Sequence, residues 1–306
     1  MEGERAKSHL TEDTKVRINR ILEANPTFAM IMDLPYELQR EVAVQMRYPD
    51  TIRFCGTSKS AKIICDDDYF WKLKIMHDFP ENPAEGHEGK WRELYKKYWK
   101  KAQAKLLSCT KAGHVKCVQS LLQIGVDPDF QYFRLARGGT YYIDEPSKTA
   151  LMLASKNGNV DIVRLLLDNG ADPNVSDADL NDPALLEASR NGHINVVEML
   201  LDHGANIKYA LNEAISGKHI HVARMLLNRG ANPNGSEDYY TLLRAINYED
   251  VEMVQLLLEH GADPNVSRAG RTALYMAYDN EKIIRLLIKH NVVIRKDLEE
   301  NYREYL

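Results

Sequence analysis

Chemistry at neutral pH needs a nucleophile beside a base, a pair of tuned carboxylates, or metal ligands at regular spacing. The chain has ten histidines and four cysteines in 306 residues, and their placement suits none of these. His219 and His221 lie two apart, a spacing that puts them on different faces of a helix and makes a poor metal pair. Asp66, Asp67 and Asp68 carry charge enough for a cation. Three acids opening a helix are explained more simply by the positive end of its dipole. Cys55, Cys65, Cys109 and Cys117 have no Cys-x-x-Cys spacing. Cys109 stands where a small residue is wanted and Cys117 lies on an apolar stripe, so both are expected as reduced core thiols. No Gly-rich loop ends in Lys-Ser/Thr, and no Gly-x-Ser-x-Gly occurs. The expectation is a protein that is not an enzyme, with no catalytic residue, no cofactor and no metal.

Charge narrows the partners. Lys and Arg total 40 against 44 Asp and Glu. Residues 1–100 hold 17 of each sign, so neither part of the chain is basic. The stretch Trp91–Cys109 interleaves aromatics with Lys96, Lys97, Lys100, Lys101 and Lys105, a pattern that nucleic-acid binders share. A solvated helix face is the commoner origin, and no nucleic-acid partner is expected. No run of eighteen apolar residues occurs, and Met1–Leu10 lacks the apolar core of a secretory signal. The final Asn301–Leu306 has no Cys for prenylation. The expected setting is the cytoplasm or nucleus, with no membrane partner.

The elements that would position any functional side chain are announced by repetition. The segment GNVDIVRLLLDNGADPN (Gly158–Asn174) recurs as GHINVVEMLLDHGANI (Gly192–Ile207), HIHVARMLLNRGANPN (His219–Asn234) and EDVEMVQLLLEHGADPN (Glu249–Asn265). A weaker copy, Gly113–Asp129, comes before them and a degraded one, Asn280–Ile294, after. Each copy reads as a helix with aliphatics at i, i+3 and i+4, such as Ile162, Leu165 and Leu166. Gly170, Gly204, Gly230 and Gly261 fall just past its end, where a left-handed cap is needed. A second signature precedes these helices: TALMLAS (Thr149–Ser155), PALLEAS (Pro183–Ser189), YALNEAI (Tyr209–Ile215), YTLLRAI (Tyr240–Ile246) and TALYMAY (Thr272–Tyr278). Ala154, Ala188, Ala214, Ala245 and Ala277 sit one turn after a Leu, which lets a neighbouring helix approach closely. A period near 33 residues means a stacked array whose usual work is gripping another protein.

This pattern of helix, turn, helix, Gly-Ala cap and turn resembles the ankyrin repeat, over roughly Lys101–Asp297. The resemblance implies about six repeats with projecting fingers, and it makes His114 and His193, each following Gly at a turn, structural. It also implies that Asn174 and Asn265 could be hydroxylated by a cellular dioxygenase, as similar asparagines are in some members. There are departures from the pattern. The family's helix-start His is replaced by Met152, Leu186, Asn212, Leu243 and Tyr275. Gly204 to Gly230 is about seven residues short, which should delete most of one finger. Gly125 to Gly170 is about twelve too long. Within that excess, Gln131–Leu135 and Thr140–Ile143 flank Arg137-Gly138-Gly139, a hairpin signal. It reads either as an elongated finger whose aromatics pair across strands or as a binding finger, since exposed Tyr and Arg make good anchors.

The first hundred residues lack this period. Residues 1–30 are polar and charged. Asp33 and Pro35 suit the start of a helix in which Leu38, Val42 and Met46 form one apolar stripe. Short helices follow over Thr51–Thr57, Ser60–Cys65 and Asp66–Pro80, a unit with little interior of its own. The layout resembles the F-box: Leu34-Pro35, then Leu38, Glu41 and Val42, then PDTIRF (Pro49–Phe54), TSKSAKIIC (Thr57–Cys65) and YFWKL (Tyr69–Leu73). That family packs its first helix and Leu-Pro pair on Skp1, the adaptor of a cullin-RING ubiquitin ligase. Carried over by position, Leu34, Pro35, Leu38, Val42 and Ile52 are the implied contacts, with Phe70 and Trp71 in the core or its junction. The alternative is a helical cap on the array. Trp91, Leu94, Tyr95 and Tyr98 then form a stripe on a bridging helix.

The expected chain is all-α. A polar segment (1–30) leads to an F-box-like domain (31–80), a bridging helix (81–103), ankyrin repeats (104–297) with one extended hairpin finger, and a tail (298–306). Its partners would be a Skp1-like adaptor with its cullin ligase, and a protein target. Target contacts are expected at Tyr132, Arg134, Tyr141, Tyr142, Asp177, Asp179, Asp238, Tyr239, Arg268 and Arg271. The combination is similar to F-box/ankyrin proteins of giant DNA viruses and intracellular bacteria, which implies work inside a host cell. The competing reading is an ankyrin scaffold or inhibitor with no ubiquitin-ligase role.

Overall fold

The computed structural model describes residues 31, 33–81, 89–131, 148–176, 183–235, 240–277 and 279–294. It is helical almost throughout, and the chain divides into two compact units. The first comprises Met1–Leu106 with Gln119–Asp127, the second Leu107–Val118 with Pro128–Leu306.

In the first unit, four short helices follow one another: α1 (Tyr36–Gln45), α2 (Tyr48–Cys55), α3 (Lys59–Asp66) and α4 (Asp68–Asp78). Their limits follow from local chemistry. Pro35 precedes α1, Pro49 occupies the first turn of α2, and Ser58 caps α3 by accepting from Ala61 N at 3.0 Å. Asp67 caps α4, accepting from Tyr69 N at 2.9 Å. The acid triplet is thus a helix start: Asp68 Oδ1 accepts from Arg92 N at 3.3 Å and Asp66 pairs with Arg92 at 3.7 Å. Among the described residues, no group of three or more His, Cys, Asp or Glu could hold a metal ion.

These four helices are too few to enclose a core, and the next one supplies it. The helix α5 (Trp91–Lys111) belongs to the first unit as far as Leu106. Tyr95 lies fully buried among Tyr48, Trp71, Phe79 and Trp99, with ring centroids 5.1 Å from Tyr48 and 5.3 Å from Trp71. Phe54, Phe70, Trp71 and Ile75 are buried with it. Aromatics bury the most area per residue, which suits so small a domain.

In the second unit, five helix pairs carry the repeat. Short inner helices α7 (Ala150–Asn157), α9 (Ala184–Arg190), α11 (Ala210–Ser216), α13 (Thr241–Asn247) and α15 (Ala273–Met276) alternate with longer outer ones. Those are α8 (Val160–Asp168), α10 (Ile194–Asp202), α12 (Ile220–Asn228), α14 (Val251–Glu259) and α16 (Glu281–Lys289). An earlier helix, α6 (Val115–Gln123), is shared between the two units. The small alanines are fully enclosed, as the close approach of inner helices requires. Gly192 shows how tight the turns are. Its φ is 78°, and a Cβ there would stand 2.5 Å from His219 Nδ1. That ring is fixed because His219 Nε2 hydrogen-bonds to the Arg190 carbonyl at 3.0 Å, and His193 Nε2 does the same to Lys156 at 3.0 Å. His193 is structural, as its position implied, and His219 is its counterpart one repeat on.

The cysteines correct the sequence expectation. Cys55–Cys65 and Cys109–Cys117 are disulfides, and no described cysteine is free. Each pair joins two helices across a short turn, so residues far apart on a helical net meet at Cα separations of 5.7 and 6.1 Å. The expected hairpin finger at 131–143 lies almost wholly outside the described residues. The two-stranded sheet that is described belongs to a later finger, β1 (Ser267–Arg268) against β2 (Arg271–Thr272), turning through Ala269 and Gly270 at positive φ.

Candidate docking surfaces

In the first unit the surface is built by what cannot fit inside. Ile63 and Ile64 are adjacent on α3 but about 100° apart around its axis, so they meet different surroundings. Ile64 is fully buried and Ile63 is 62% exposed. Tyr69 and Phe70 divide in the same way at the start of α4. Ile52 is 42% exposed on α2, and Met76 stands out from α4. Pro35 is exposed, with Tyr36 beside it at the start of α1; Leu34 and Leu38 are half-buried.

Val42 is a correction to the carried-over contacts. It is fully buried, and Met46 one turn later is buried as well. From Val42 onward the stripe faces the unit's own interior because α1 packs against α4, while Leu38 stays half-buried. Surface is therefore left at the beginning of α1, not along its length. Ile63, Tyr69 and Met76 were missed in the sequence. Nothing in the spacing singled them out, because adjacent apolar pairs such as Ile64-Cys65 and Ile283-Ile284 are buried together.

In the second unit, Arg268 and Arg271 are exposed on the short hairpin. The Arg268 guanidinium lies over the Tyr240 ring at 5.9 Å. The other expected target contacts, Tyr132, Arg134, Tyr141, Tyr142, Asp177, Asp179, Asp238 and Tyr239, lie outside the described residues. Charged side chains along the inner helices find polar partners. Lys148 pairs with Glu187, Arg190 Nε with Glu213 at 2.7 Å, and Arg244 donates to Ser216 Oγ at 2.5 Å. Glu187 is nearly sealed at 2% exposure, so its partners are needed to offset lost hydration.

The finger bases are tied by amides. Asn174 Oδ1 accepts from Asn206 N at 2.8 Å, Asn234 Oδ1 from Asp263 N at 2.7 Å, and Asn265 Oδ1 from Val293 N at 2.7 Å. Asp129 opens the series by accepting from Asp172 N. The short repeat interrupts it. Lys208 stands where the others have Asn, although the turn itself is kept: Asn206 Oδ1 accepts from Lys208 N at 3.0 Å, as Asp172, Asn232 and Asp263 accept from the residue two on in their own turns. Next to it Tyr209 is held at φ 69°, 37% exposed, with the Lys208 ammonium 4.8 Å from its ring.

Family models now assign both units. An F-box domain model matches residues 31–73, and ankyrin-repeat models match 150–201 and 211–298. The chain joins an F-box domain to ankyrin repeats. Solved ankyrin structures align with the array. The human ASB11 ankyrin repeat domain does so at 23% identity and TM-score 0.52, over 62% of this chain and 85% of that one. An ankyrin repeat domain from Acinetobacter baumannii AYE gives 29% and 0.53, over 62% and 98%. The ankyrin repeat domain of Bcl-3, a member of the IkappaB protein family, gives 24% and 0.52, over 61% and 86%. No curated protein matches the sequence significantly. F-box and ankyrin domains are non-catalytic as a rule.

Proposed function

We propose that this chain is a substrate adaptor. The F-box domain docks on a Skp1-like subunit of a cullin-RING ubiquitin ligase, and the ankyrin repeats hold a protein target for ubiquitination. Catalysis then comes from proximity, the ligase raising the effective concentration of the target's lysines. The observation that carries this reading is the F-box match on residues 31–73, in a chain whose remainder is a protein-binding array. Pro35 and Ile52 are exposed and Leu34 and Leu38 half-buried, which leaves these apolar side chains open to a partner and supports the reading. Target contacts at Arg268 and Arg271, together with the finger residues named from the sequence, belong to the same proposal. So does a cytoplasmic or nuclear setting in a host cell, where a reducing poise would open accessible disulfides.

A pull-down of Skp1 with the purified full chain tests the adaptor role. Wild type should retain Skp1, and Leu34→Ala/Pro35→Ala should lose at least about tenfold in affinity, equivalent to removing two central apolar contacts. Capture indifferent to the double variant, or no capture, favours the scaffold or inhibitor reading. The burial of Val42 is the observation on that side, because it withdraws one apolar side chain from the docking face.

A further inference from the structure

The most unusual group in the first unit is a lysine shut away from solvent. Lys74 is wholly buried. Its ammonium has three N–H donors and exactly as many acceptors: Val44 O at 3.0 Å, Met46 O at 2.7 Å and Asp78 Oδ2 at 2.8 Å. The first two are carbonyls at the end of α1. A helix leaves its last carbonyls without partners and concentrates negative potential there. α1 has no basic residue in its own last turn, so the cap comes from α4, about thirty residues later in the chain. Thr51 of α2 lies close by, its hydroxyl 3.2 Å from Arg47 O and 3.4 Å from Ala43 O and Met46 O.

The other side of the network reaches α5. Asp78 Oδ2 also accepts from Tyr95 OH at 2.5 Å, and Asp78 Oδ1 lies 2.7 Å from His77 Nδ1. Burial pulls the Lys74 ammonium below its ordinary range, with Asp78 opposing the shift. Such pairs are poor sources of stability. Hydration lost by two buried charges often exceeds their attraction, and apolar replacements of like volume fold as well or better. What a fully satisfied buried network supplies is one arrangement of the elements it joins. Here those elements are α1, α4 and α5.

We propose that Lys74 is a positioning residue for the F-box docking face: capping α1 in trans, it fixes the orientation of the helix that begins with Leu34-Pro35, and Asp78 and Tyr95 couple that orientation to α5. The consequence for docking rests on the adaptor reading above; the positioning itself does not. The bridging helix is thereby part of the device that sets the docking face, and not a spacer.

The test uses the full chain and two variants. Lys74→Met/Asp78→Leu/Tyr95→Phe replaces the network with apolar groups, avoiding the uncompensated charge that a single change would leave. Tyr95→Phe alone is the mild variant and removes one hydroxyl that touches no atom of α1. Melting temperature, amide exchange of residues 43–46 and Skp1 affinity are measured on each. The triple variant should melt no lower than wild type, exchange those amides at least about tenfold faster and bind Skp1 about tenfold more weakly. Tyr95→Phe should speed the same amides about threefold. Unchanged exchange at 43–46 in a folded variant overturns the proposal, and Tyr95→Phe decides it if the triple variant does not fold. If wild type does not bind Skp1, the adaptor reading fails while the exchange result still decides the role of Lys74.

Discussion

Gly192 and Tyr95 are two single residues on which local order depends. At Gly192, positive φ and the His219 ring together leave no room for a side chain. Gly192→Ala should cost about 2 kcal/mol, the sum of left-handed strain and a displaced ring. A denaturant titration checks it, with a lowered midpoint and unchanged slope expected. Tyr95 raises a question of pH. Burial, then the Asp78 carboxylate, hold its hydroxyl far above the ordinary 10.0. The folded state therefore keeps a proton that the unfolded chain gives up. The contribution of Tyr95 is complete below pH 10 and is lost as pH rises above it, by up to about 1.4 kcal/mol per unit. Lys74 works in the opposite sense, since its lowered value makes the unfolded chain the greater proton binder as pH approaches 10.5. Tyr95→Phe removes the first term alone. Its stability relative to wild type, from urea titrations at pH 8 to 11, should therefore rise once pH exceeds 10. A constant difference across that range contradicts the buried hydroxyl. Neither the Lys74 cap nor the cysteine pairing was legible in sequence. Val44 and Lys74 are thirty residues apart, and residue spacing does not tell which helix ends meet.

At the scale of elements, the inner helices of four to eight residues are too short to persist alone. Stacking holds them, and the alanines set the stacking distance. Ala214 is fully buried between α9 and its own partners. Ala214→Leu should destabilise the array by about 1–3 kcal/mol through overpacking, read as a lower melting temperature. These elements were visible in the sequence because every repeat states them again: the Leu-x-x-Ala turn, the i, i+3, i+4 stripe and the Gly cap. The F-box helices were visible through Pro35, Pro49 and Ser58, which mark their starts. Which side of each helix faces out was not. The stripe Leu38, Val42 and Met46 is amphipathic whether it meets a partner or α4, and only the packing of α4 decides. Lys208 shows the converse, a departure at one repeated position that removes the side-chain oxygen the other repeats use there.

Over the whole molecule, a small aromatic-cored F-box unit precedes a repeat array whose contacts are local and self-similar. F-box domains and ankyrin repeats are non-catalytic as a rule. The molecule's work would lie in which surfaces each unit leaves open. For the F-box unit those are the start of α1 and the outward side chains Ile52 and Ile63; for the array they include the hairpin of Arg268 and Arg271. Hydrogen exchange of the full chain, alone and saturated with Skp1, tests the adaptor role most directly. Protection should appear at residues 34–38 and along 52–63, with the amides of 150–294 unchanged. Protection confined to the repeats, or none at saturating Skp1, would contradict it.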